Sequence, residues 1–369
     1  MAKRVLVGLS GGLDSTISAF LLKQQGYEVI GVHFQLWHDP KAPENQKDLP
    51  ENKCCSVRDL MLARTVAKKL DIPFFVFDFR ERFFRDVVQD FLTRFEKGLT
   101  PNPCVECNRN IKFGYFLEKM TELGADFVAT GHYVRNEWND ETQEFELLRG
   151  GDHIKDQTYF LYSLTQEKLR HTLFPVGNLT KPEVREMAIG NGFEEFAKKR
   201  ESQGVCFFPE KTYHEFLKRH LPHGFIKGDF KELKTEKVLG QHEGVLLFTV
   251  GQRARIPGCI APKYVLKTDP QTNTVWVGEN EDLLRTQIFL ENLSWTGKPL
   301  EDGSEAELSI RHGGKSVTGV FHNNPLEKGI GVISLSTPLR ALSPGQSAVF
   351  YSGKKVLGGG IIQNSSSLL

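Results

Sequence analysis

A glycine-rich hexapeptide near the N-terminus constrains the fold of this chain more than any other segment. Ser10-Gly-Gly-Leu-Asp-Ser15 directly follows an apolar run, residues 5–9, which predicts a buried β-strand. Apolar side chains then recur at helical spacing, at Leu13, Ile17, Phe20 and Leu21. A glycine-rich turn between a strand and a helix aims backbone N–H groups at an anion, so the sequence predicts a phosphate-binding turn. On the loop alone, an ordinary strand-to-helix turn is the alternative.

The hexapeptide differs from two common nucleotide-binding motifs. It lacks the Lys that follows the last glycine of a Walker A motif, and it lacks the third glycine of the dinucleotide fingerprint. It resembles instead the SGGxDS signature of the PP-loop ATP pyrophosphatases. That resemblance implies that the loop binds ATP, that Mg²⁺ assists, and that the substrate is adenylated with release of pyrophosphate. Asp14 suits this interpretation because carboxylates are Mg²⁺ ligands.

Predicted strands and helices alternate over the first part of the chain. Four strands are predicted, at residues 5–9, 29–34, 74–79 and 126–130. The alternation predicts an α/β fold with a doubly wound parallel sheet, which binds ligands at the carboxyl ends of its strands. Helical periodicity fades after residue 220, and glycine-punctuated short strands follow, among them residues 245–250, 264–268 and 274–277.

Three domains follow from this change of pattern. We predict a PP-loop ATPase domain over residues 1–209, a small central domain over residues 210–280 and a C-terminal all-β barrel over residues 281–369. A polar insertion at residues 39–52 is expected to be a loop.

Composition indicates a soluble globular protein. The chain has 369 residues, a net charge of +1 and no apolar stretch long enough to span a bilayer. Its first residues show no signal-peptide pattern, so we expect a cytoplasmic protein without a membrane partner. The chain has six cysteines, and in a reducing compartment paired cysteines are expected to be catalytic or metal-binding. The near-neutral net charge means that nucleic acid would bind through local basic patches.

A second informative segment, Asn102-Pro-Cys-Val-Glu-Cys-Asn108, contains two cysteines. The prolines around residue 102 predict a rigid surface turn that presents Cys104 and Cys107 just before a helix. A thiol near a helix N-terminus is expected to have a lowered pKa and to be reactive. Half of a structural zinc site and a pair of buried thiols are the alternatives.

The other cysteines give weaker signals. Cys206 follows a glycine-containing turn and precedes two phenylalanines, which suits a loop beside a pocket, but a lone cysteine is more often a buried apolar residue. Cys54 and Cys55 adjoin the polar insertion and are interpreted as structural residues or redox spectators, and no function is predicted for Cys259.

Two further polar segments lie where a ligand is expected. Gly131 and His132 follow the predicted strand at residues 126–130, at the ligand-binding edge of the sheet. Gly131 would permit close approach of a nucleotide, and His132 is either a donor to phosphate or base or a satisfied turn residue. Residues 155–157, Lys-Asp-Gln, are either a phosphate-positioning cluster or a solvated loop.

Taken together, these segments resemble the tRNA-specific 2-thiouridylases in order and spacing. The resemblance extends through residues 248–253, Phe-Thr-Val-Gly-Gln-Arg, and residues 343–347, Ser-Pro-Gly-Gln-Ser, and so covers nearly the whole chain. It implies that ATP adenylates O2 of the wobble uridine and that a protein persulfide replaces that oxygen with sulfur. The implied partners are tRNA and a sulfur donor, either a cysteine desulfurase or a sulfur-relay protein.

The resemblance also implies residue functions. Cys206 matches the cysteine that carries the persulfide, and Cys107 matches the nucleophile that releases the sulfur through a transient disulfide with Cys206. The ATP-binding positions are Gly8, Leu9, Ser10, Gly11, Gly12, Leu13, Asp14, Ser15, Phe34 and Gly131. The tRNA-binding positions are Asn102, Pro103, Cys104, His132, Lys155, Asp156, Gln157, Arg311, His312 and Gln346. No metal-ligating residue is implied.

Cys104 departs from the pattern, because many members of the family have an acid–base candidate Asp there. If Cys206 folds against Cys104 and Cys107, the three thiols could instead hold a [4Fe–4S] cluster that carries sulfide. We favour the persulfide and keep the cluster as an alternative. Another PP-loop ligase or amidotransferase, a non-enzymatic tRNA- or cluster-binding scaffold and a thiol oxidoreductase are competing interpretations.

Overall fold

The computed structural model of the chain describes residues 2–42, 56–199, 204–208, 210, 212–323 and 329–364. Cys54, Cys55, most of the predicted insertion loop and residues 202–203 of the Cys206 segment lie outside the described residues. The strands are β1 (Arg4–Gly8), β2 (Glu28–Gln35), β3 (Phe74–Asp78), β4 (Phe127–Ala129), β5 (Val134–Asn139), β6 (Glu144–Arg149), β7 (Thr172–Leu173), β8 (Gly228–Glu232), β9 (Val238–His242), β10 (Arg253–Ala254), β11 (Lys263–Asp269), β12 (Thr274–Gly278), β13 (Leu284–Trp295), β14 (Glu305–Ser309), β15 (Val317–Asn323), β16 (Gly331–Arg340), β17 (Ser347–Ser352) and β18 (Lys355–Ile362).

Eight helices accompany these strands in the described ranges. They are α1 (Leu13–Gln24), α2 (Val57–Lys69), α3 (residues 80–96), α4 (residues 103–122), α5 (Gln166–Arg170), α6 (Lys181–Gly190), α7 (Glu194–Ala197) and α8 (His214–His220). Helices α3 and α4 contain π-helical stretches, at Phe84–Val88 and Cys107–Tyr115. The π-helical stretch of α4 follows its first turn, Pro103–Glu106.

The first domain is built on a five-stranded parallel sheet. Its strand order is β3-β2-β1-β4-β7, and every neighbouring pair is parallel. Val5, Leu6 and Val7 of the central strand are fully buried, as expected of a strand covered on both faces. The prediction of a doubly wound α/β fold is confirmed, and the carboxyl end of β1 meets the glycine-rich turn.

Helix α6 begins at a capping box. The Thr180 backbone N–H donates to Glu183 Oε2 across 2.6 Å, and the Thr180 hydroxyl donates to the same carboxylate at 2.7 Å. This pairing satisfies donors at the helix N-terminus and fixes the direction in which the first turn points. The capping residues therefore set the position of Lys181, which matters below.

In the central sheet, two of the predicted strands are confirmed and one is wrong. Its order is β10-β11-β12-β8-β9, and β11 and β12 contain the strands expected at residues 264–268 and 274–277. The strand predicted at residues 245–250 is wrong, because Val245–Leu247 forms a buried 3₁₀ turn. An apolar run of this length fits a buried turn as well as a strand, since periodicity alone does not separate them.

The C-terminal sheet closes into a barrel. Strands follow the order β13-β16-β15-β14-β17-β18, and β18 pairs back to β13. The predicted all-β barrel is confirmed. The hairpin β5–β6, which the sequence analysis did not predict, extends this sheet from within the first domain through the pair Lys355–Leu148. The Lys355 ammonium also donates to Glu146 across 2.7 Å, so the hairpin ties the two domains together.

One aromatic core joins the first and central domains. Cys107 and Ile111 of α4 lie in this core together with Phe207 and Phe216. The Phe207 ring makes an edge contact with Phe91 of α3 at 5.3 Å between centroids. These contacts hold the segment after Cys206 against α3 and α4.

Candidate active site

The glycine-rich turn forms a compact, internally bonded loop. The Ser10 backbone N–H donates to Ser15 Oγ at 3.2 Å, and Ser15 Oγ donates to the Gly12 carbonyl at 3.0 Å. Gly11 has φ of +69°, and a Cβ built there would lie 2.5 Å from the Asp59 carbonyl oxygen. Only glycine satisfies both the left-handed conformation and this close approach to α2.

A cavity of about 240 Å³ opens beside this loop. Its lining residues are Gly8, Leu9, Ser10, Asp14, Ser15, His33, Phe34, Leu36, Lys112, Thr130, Gly131, His132 and Gln157. Most of the residues expected to bind ATP therefore meet in one place. Leu13 instead points into the apolar core under α1, and Gly11 and Gly12 shape the turn without lining the cavity.

The backbone of Gly131 packs directly on the phosphate-binding turn. A Cβ at Gly131 would lie 2.8 Å from Asp14 Cβ and 2.9 Å from the Ser15 nitrogen. Glycine at this position was expected to let a nucleotide approach closely. The structure gives a second reason for it, because a residue without a Cβ also lets the end of β4 approach α1. Phe34 borders the same cavity from β2 and contacts Phe116 with ring centroids 4.7 Å apart.

Asp14 is held by two partners that the sequence analysis did not identify. Its Oδ1 accepts a hydrogen bond from the Tyr133 hydroxyl at 2.6 Å, and the Lys181 ammonium lies 2.7 Å from Oδ1 and 2.9 Å from Oδ2. Lys181 is buried, with 7% of its side chain exposed, whereas Asp14 keeps 31% exposed toward the cavity. The capping-box pattern at residues 180–183 is the sequence signal that locates the start of α6, and Lys181 is the first residue of that helix.

The donor set at the cavity fits Mg²⁺ only together with a nucleotide. Asp14 is the one carboxylate among the cavity-lining residues named above, and the described chain has no group of three or more His, Cys, Asp or Glu arranged to hold a metal ion. Mg²⁺ commonly uses one or two carboxylates and completes its shell with phosphate oxygens and water. Asp14 would therefore hold Mg²⁺ together with the phosphates of ATP.

The cysteine segment differs from the predicted surface turn. Helix α4 begins at Pro103, so Cys104 and Cys107 lie inside the helix, and Cys107 is only 7% exposed. Burial raises the pKa of Cys104 to about 11 and that of Cys107 to about 12. The expected lowering of the thiol pKa by the helix N-terminus is wrong, because desolvation disfavours a thiolate more strongly here.

Cys104, Cys107 and Cys206 nevertheless share one environment. A negative charge on Cys206 raises the pKa of both α4 thiols, and Cys206 packs against the core that contains Cys107. All three thiols are free of disulfides. They do not form a metal-binding group in the described geometry, so neither the zinc alternative nor a [4Fe–4S] cluster fits these residues as they stand.

Lys112 and His132 line the cavity, and the charge of Lys112 also acts on the α4 thiols. The Lys112 ammonium is 3.5 Å from His132 Nε2, and His132 Nδ1 is 2.7 Å from the Thr130 hydroxyl. Burial, together with the nearby Lys112 charge, lowers the pKa of His132 well below its usual value, so the imidazole is neutral. His132 was expected from the sequence, whereas Lys112 was seen only as part of a helix.

The residues expected to bind tRNA converge from distant parts of the chain. Gln346 Nε2 donates to the Thr100 carbonyl at 2.9 Å and to the Pro101 carbonyl at 3.2 Å, which docks a barrel loop just before α4. Asn102 hydrogen-bonds Tyr159, whose hydroxyl also donates to the Ser347 carbonyl at 2.8 Å.

A second set of contacts joins the barrel to residues 155–157. His312 Nε2 lies 3.0 Å from the Asp156 carbonyl, and its neighbour Arg311 is exposed on the same loop. Gln157 Oε1 accepts from the Tyr133 backbone N–H at 3.0 Å and lines the cavity. Lys155 is half-buried. The barrel, α4 and the cavity thus surround one surface.

Family comparisons cover nearly the whole chain. Residues 3–210 match the family model described as the tRNA methyl transferase HUP domain. Residues 214–279 match the tRNA methyl transferase PRC-barrel domain, and residues 285–362 match the aminomethyltransferase beta-barrel domain. The fold and its phosphate-binding turn therefore define a HUP-domain protein with two further β-domains.

Characterised relatives identify the family within that class. A tRNA-specific 2-thiouridylase from Caldanaerobacter subterraneus is 42% identical over 98% of this chain and 98% of its own length. A tRNA-specific 2-thiouridylase from Clostridium perfringens is 41% identical over 98% of this chain and 99% of its own length. The chain belongs to the family of tRNA-specific 2-thiouridylases.

Solved structures are more distant. NMN synthetase from Francisella tularensis, 15% identical, covers 54% of this chain and 66% of that chain with a TM-score of 0.34. A likeness of that size says nothing about ligand or reaction. No helix in the described ranges is both long and apolar enough to cross a membrane.

Proposed function

We propose that this protein is an ATP-dependent tRNA-uridine 2-sulfurtransferase that places sulfur at C2 of the wobble uridine. The observation that carries the proposal is the adjacency of two sites. The cavity beside the phosphate-binding turn and the group formed by Cys104, Cys107 and Cys206 meet at Lys112 of α4. Activation by ATP and delivery of sulfur would therefore occur on neighbouring surfaces.

In the activation step, the phosphate-binding turn holds ATP. Backbone N–H groups at the start of α1 and the Ser10 and Ser15 hydroxyls would bind phosphate oxygens, while Asp14 would hold Mg²⁺ with them. The uridine O2 attacks the α-phosphorus, and pyrophosphate leaves. The oxygen of uridine, otherwise a poor leaving group, can then depart as part of AMP.

In the sulfur step, the terminal sulfur of a Cys206 persulfide attacks C2 of the adenylated uridine, and AMP leaves with the O2 atom. The Cys107 thiolate then attacks the Cys206 sulfur and breaks the S–S bond, which leaves the outer sulfur on C2. A Cys107–Cys206 disulfide forms, and a thiol reductant restores both thiols. A sulfur-donor protein would load the next persulfide on Cys206.

Burial keeps the α4 thiols protonated until the substrates are bound. Cys107 has a pKa of about 12 in this structure, so its thiolate is scarce at neutral pH. Binding of tRNA or formation of the persulfide would have to change its surroundings before it attacks. This state protects the nucleophile from unproductive oxidation, because the thiolate is the reactive form.

The tRNA would occupy the surface between α4, residues 155–157 and the barrel. Asn102, Pro103 and Cys104 would lie beside the target base, with Arg311 and His312 contacting tRNA from the barrel. The wobble uridine must leave its stack to reach the cavity, as other base-modifying enzymes require. Because the net charge is only +1, these local contacts must supply the affinity. A cytoplasmic location follows as part of the proposal.

Cysteine variants test the assignment. Cys107→Ser and Cys206→Ser should still release pyrophosphate from ATP when tRNA is present, yet produce at least about 100-fold less 2-thiouridine, because each removes a sulfur nucleophile. Nucleoside mass analysis measures the product, and Cys259→Ser, a change to a partly buried thiol in the central domain, is the control. Thiolation retained by both variants would overturn the cysteine assignments.

The sulfur carrier can be checked directly. An iron and acid-labile sulfide assay on anaerobically purified protein should find neither in amounts matching the chain, while the protein thiolates tRNA when supplied with a persulfide donor. Iron and sulfide near four per chain, lost in Cys104→Ser, would instead favour the cluster.

A further inference from the structure

Lys112 lies where the nucleotide cavity ends and the thiols begin. It lines the cavity together with the phosphate-binding turn, and its ammonium is 3.5 Å from His132 Nε2. Its side chain is half-buried, so water screens its charge less than at an open surface. None of the residue functions given above uses this lysine.

The backbone of α4 brings Lys112 to the side of the helix that carries Cys107. Cys107–Tyr115 is π-helical, so its hydrogen bonds join residues five positions apart. Because one turn of a π-helix holds between four and five residues, Cys107 and Lys112, five positions apart, lie on the same side of the helix. In a regular α-helix, positions three and four apart would be neighbours instead. The π-helical stretch thus turns a cation toward the thiols.

The ammonium of Lys112 has no carboxylate partner among the described residues. Its hydrogen-bond neighbour is the neutral imidazole of His132. The two acidic residues six positions away on α4 already have partners: Glu106 is shared by Arg94 at 3.5 Å and Arg109 at 3.6 Å, and Glu118 pairs with an arginine of α3 at 2.7 Å. A half-buried cation without an anionic partner, at the edge of a cavity, is an anion-binding position.

We propose that Lys112 is the residue that holds the anionic sulfur in place at the edge of the nucleotide cavity while the sulfur passes from Cys206 to the uridine and Cys107 releases it. The proposal rests on the function proposed above and adds a positioning residue to it. Both half-reactions place negative charge near this point, first on the α-phosphate and then on the persulfide and the attacking thiolate. The charge of Lys112 favours the thiolates of Cys104 and Cys107 and partly offsets their burial.

Alkylation of the thiols tests this without ATP or tRNA. The rate at which iodoacetamide modifies Cys104 and Cys107 is measured from pH 7 to pH 10 by peptide mass analysis, with Cys259 as an internal reference. This range lies below the pKa of both α4 thiols, so in Lys112→Met a pKa raised by about one unit should slow modification about tenfold throughout, because the thiolate fraction falls. Lys112→Arg, which keeps the charge, should keep the rate near that of the unaltered protein.

The matched control is Lys119→Met, which removes a partly exposed lysine, paired with Glu122, from the same helix. It should leave both profiles unchanged. A Lys112→Met rate equal to that of the unaltered protein would overturn the proposal, and so would an equal reduction in Lys112→Arg, since that indicates lost access instead of lost charge. Lys112→Gln serves as a second neutral variant if Lys112→Met does not fold.

A sulfur-transfer assay distinguishes failure of this proposal from failure of the proposed function on which it rests. With persulfide loaded on Cys206 and a single turnover observed, Lys112→Met should slow formation of 2-thiouridine at least tenfold, and Lys112→Arg should recover most of the rate. If the unaltered protein forms no 2-thiouridine, the proposed function fails, whereas the alkylation profiles still decide whether Lys112 acts on the thiols.

Discussion

The Lys181 ammonium pairs with the Asp14 carboxylate at 2.7 Å and joins the first turn of α6 to the phosphate-binding turn across 167 positions of sequence. Lys181 is nearly buried, and its backbone N–H donates to Asp152 Oδ2 at 3.0 Å. The pair therefore fixes the orientation of the one carboxylate that faces the nucleotide cavity from this loop. Four predictions follow from this and related contacts.

Removal of the Lys181 charge should weaken both stability and ATP binding. In Lys181→Met the Asp14 carboxylate keeps only the Tyr133 hydroxyl as partner, and because Asp14 is partly exposed we expect a loss of about 2 kcal/mol in the free energy of unfolding. Urea unfolding measures this loss. The double variant Asp14→Asn with Lys181→Met should lose clearly less than the sum of the single variants. Strict additivity would contradict a direct interaction.

Gly11 and Gly26 provide a matched pair for testing the phosphate-binding turn. Both have positive φ, +69° and +85°, but a Cβ would meet the Asp59 carbonyl at 2.5 Å only at Gly11. Both alanine variants should lose about 1 kcal/mol of stability from the left-handed backbone. Gly11→Ala should in addition weaken ATP binding at least about tenfold, measured by calorimetry, since α1 must shift away from α2. Equal ATP affinity in the two variants would refute this.

The buried thiol of Cys107 predicts a pH dependence of stability. Its folded pKa of about 12 lies above the ordinary thiol value of about 8.5. Above about pH 9 the unfolded chain therefore binds fewer protons than the folded chain, and the free energy of unfolding falls as pH rises, by up to about 1.4 kcal/mol per pH unit from this group.

Urea unfolding of Cys107→Ala at pH 8 and pH 10 checks this prediction. The variant should lose less stability over that interval than the unaltered protein, because it has no thiol to ionise on unfolding. Cys259→Ala is the control at a partly exposed thiol. Parallel pH profiles for Cys107→Ala and the unaltered protein would show that Cys107 is not held protonated by the fold.

Gln346 should couple the barrel to the segment before α4. Its side-chain amide donates to two backbone carbonyls, those of Thr100 and Pro101. Gln346→Ala should lower the free energy of unfolding by about 1–2 kcal/mol and weaken tRNA binding, because two acceptors lose their partner. Filter binding of tRNA and urea unfolding are the measurements. Gln287→Ala, at an exposed position on β13, should change neither.

The parts of the fold that depend on local pattern were predictable. The parallel sheet follows from apolar runs alternating with helical periodicity, and the start of α6 follows from the order Thr-Lys-Pro-Glu at residues 180–183, which is a capping-box pattern. The hairpin β5–β6 was missed because its strands carry polar residues on their exposed sides, and their pairing partner Lys355 lies some 200 positions away in the chain. Pairing over such distances leaves no local signal.

In the candidate site, too, some residues were predictable from the sequence and others were found only in the structure. The phosphate-binding turn and the cysteines were identified by residue type and spacing, and their assigned functions stay predictions. Lys181, Tyr133 and Lys112 were not identified, because a lysine or tyrosine on an amphipathic helix or strand end reads as an ordinary surface residue. Only the packed structure shows that they face Asp14 and His132.

The glycine-rich turn was predictable from residues 5–24 alone, because glycine conformation and the strand–turn–helix order are local properties of that segment. The sequence also shows which cysteine thiols the chain contains. Tertiary structure alone decided their chemistry: packing buries Cys107 in an aromatic core, so desolvation raises the pKa that the helix end was expected to lower. The tertiary structure also decided where the positive charge of Lys112 lies relative to Cys107. That position depends on the π-helical stretch of α4, which, like the closed barrel, is a product of long-range packing.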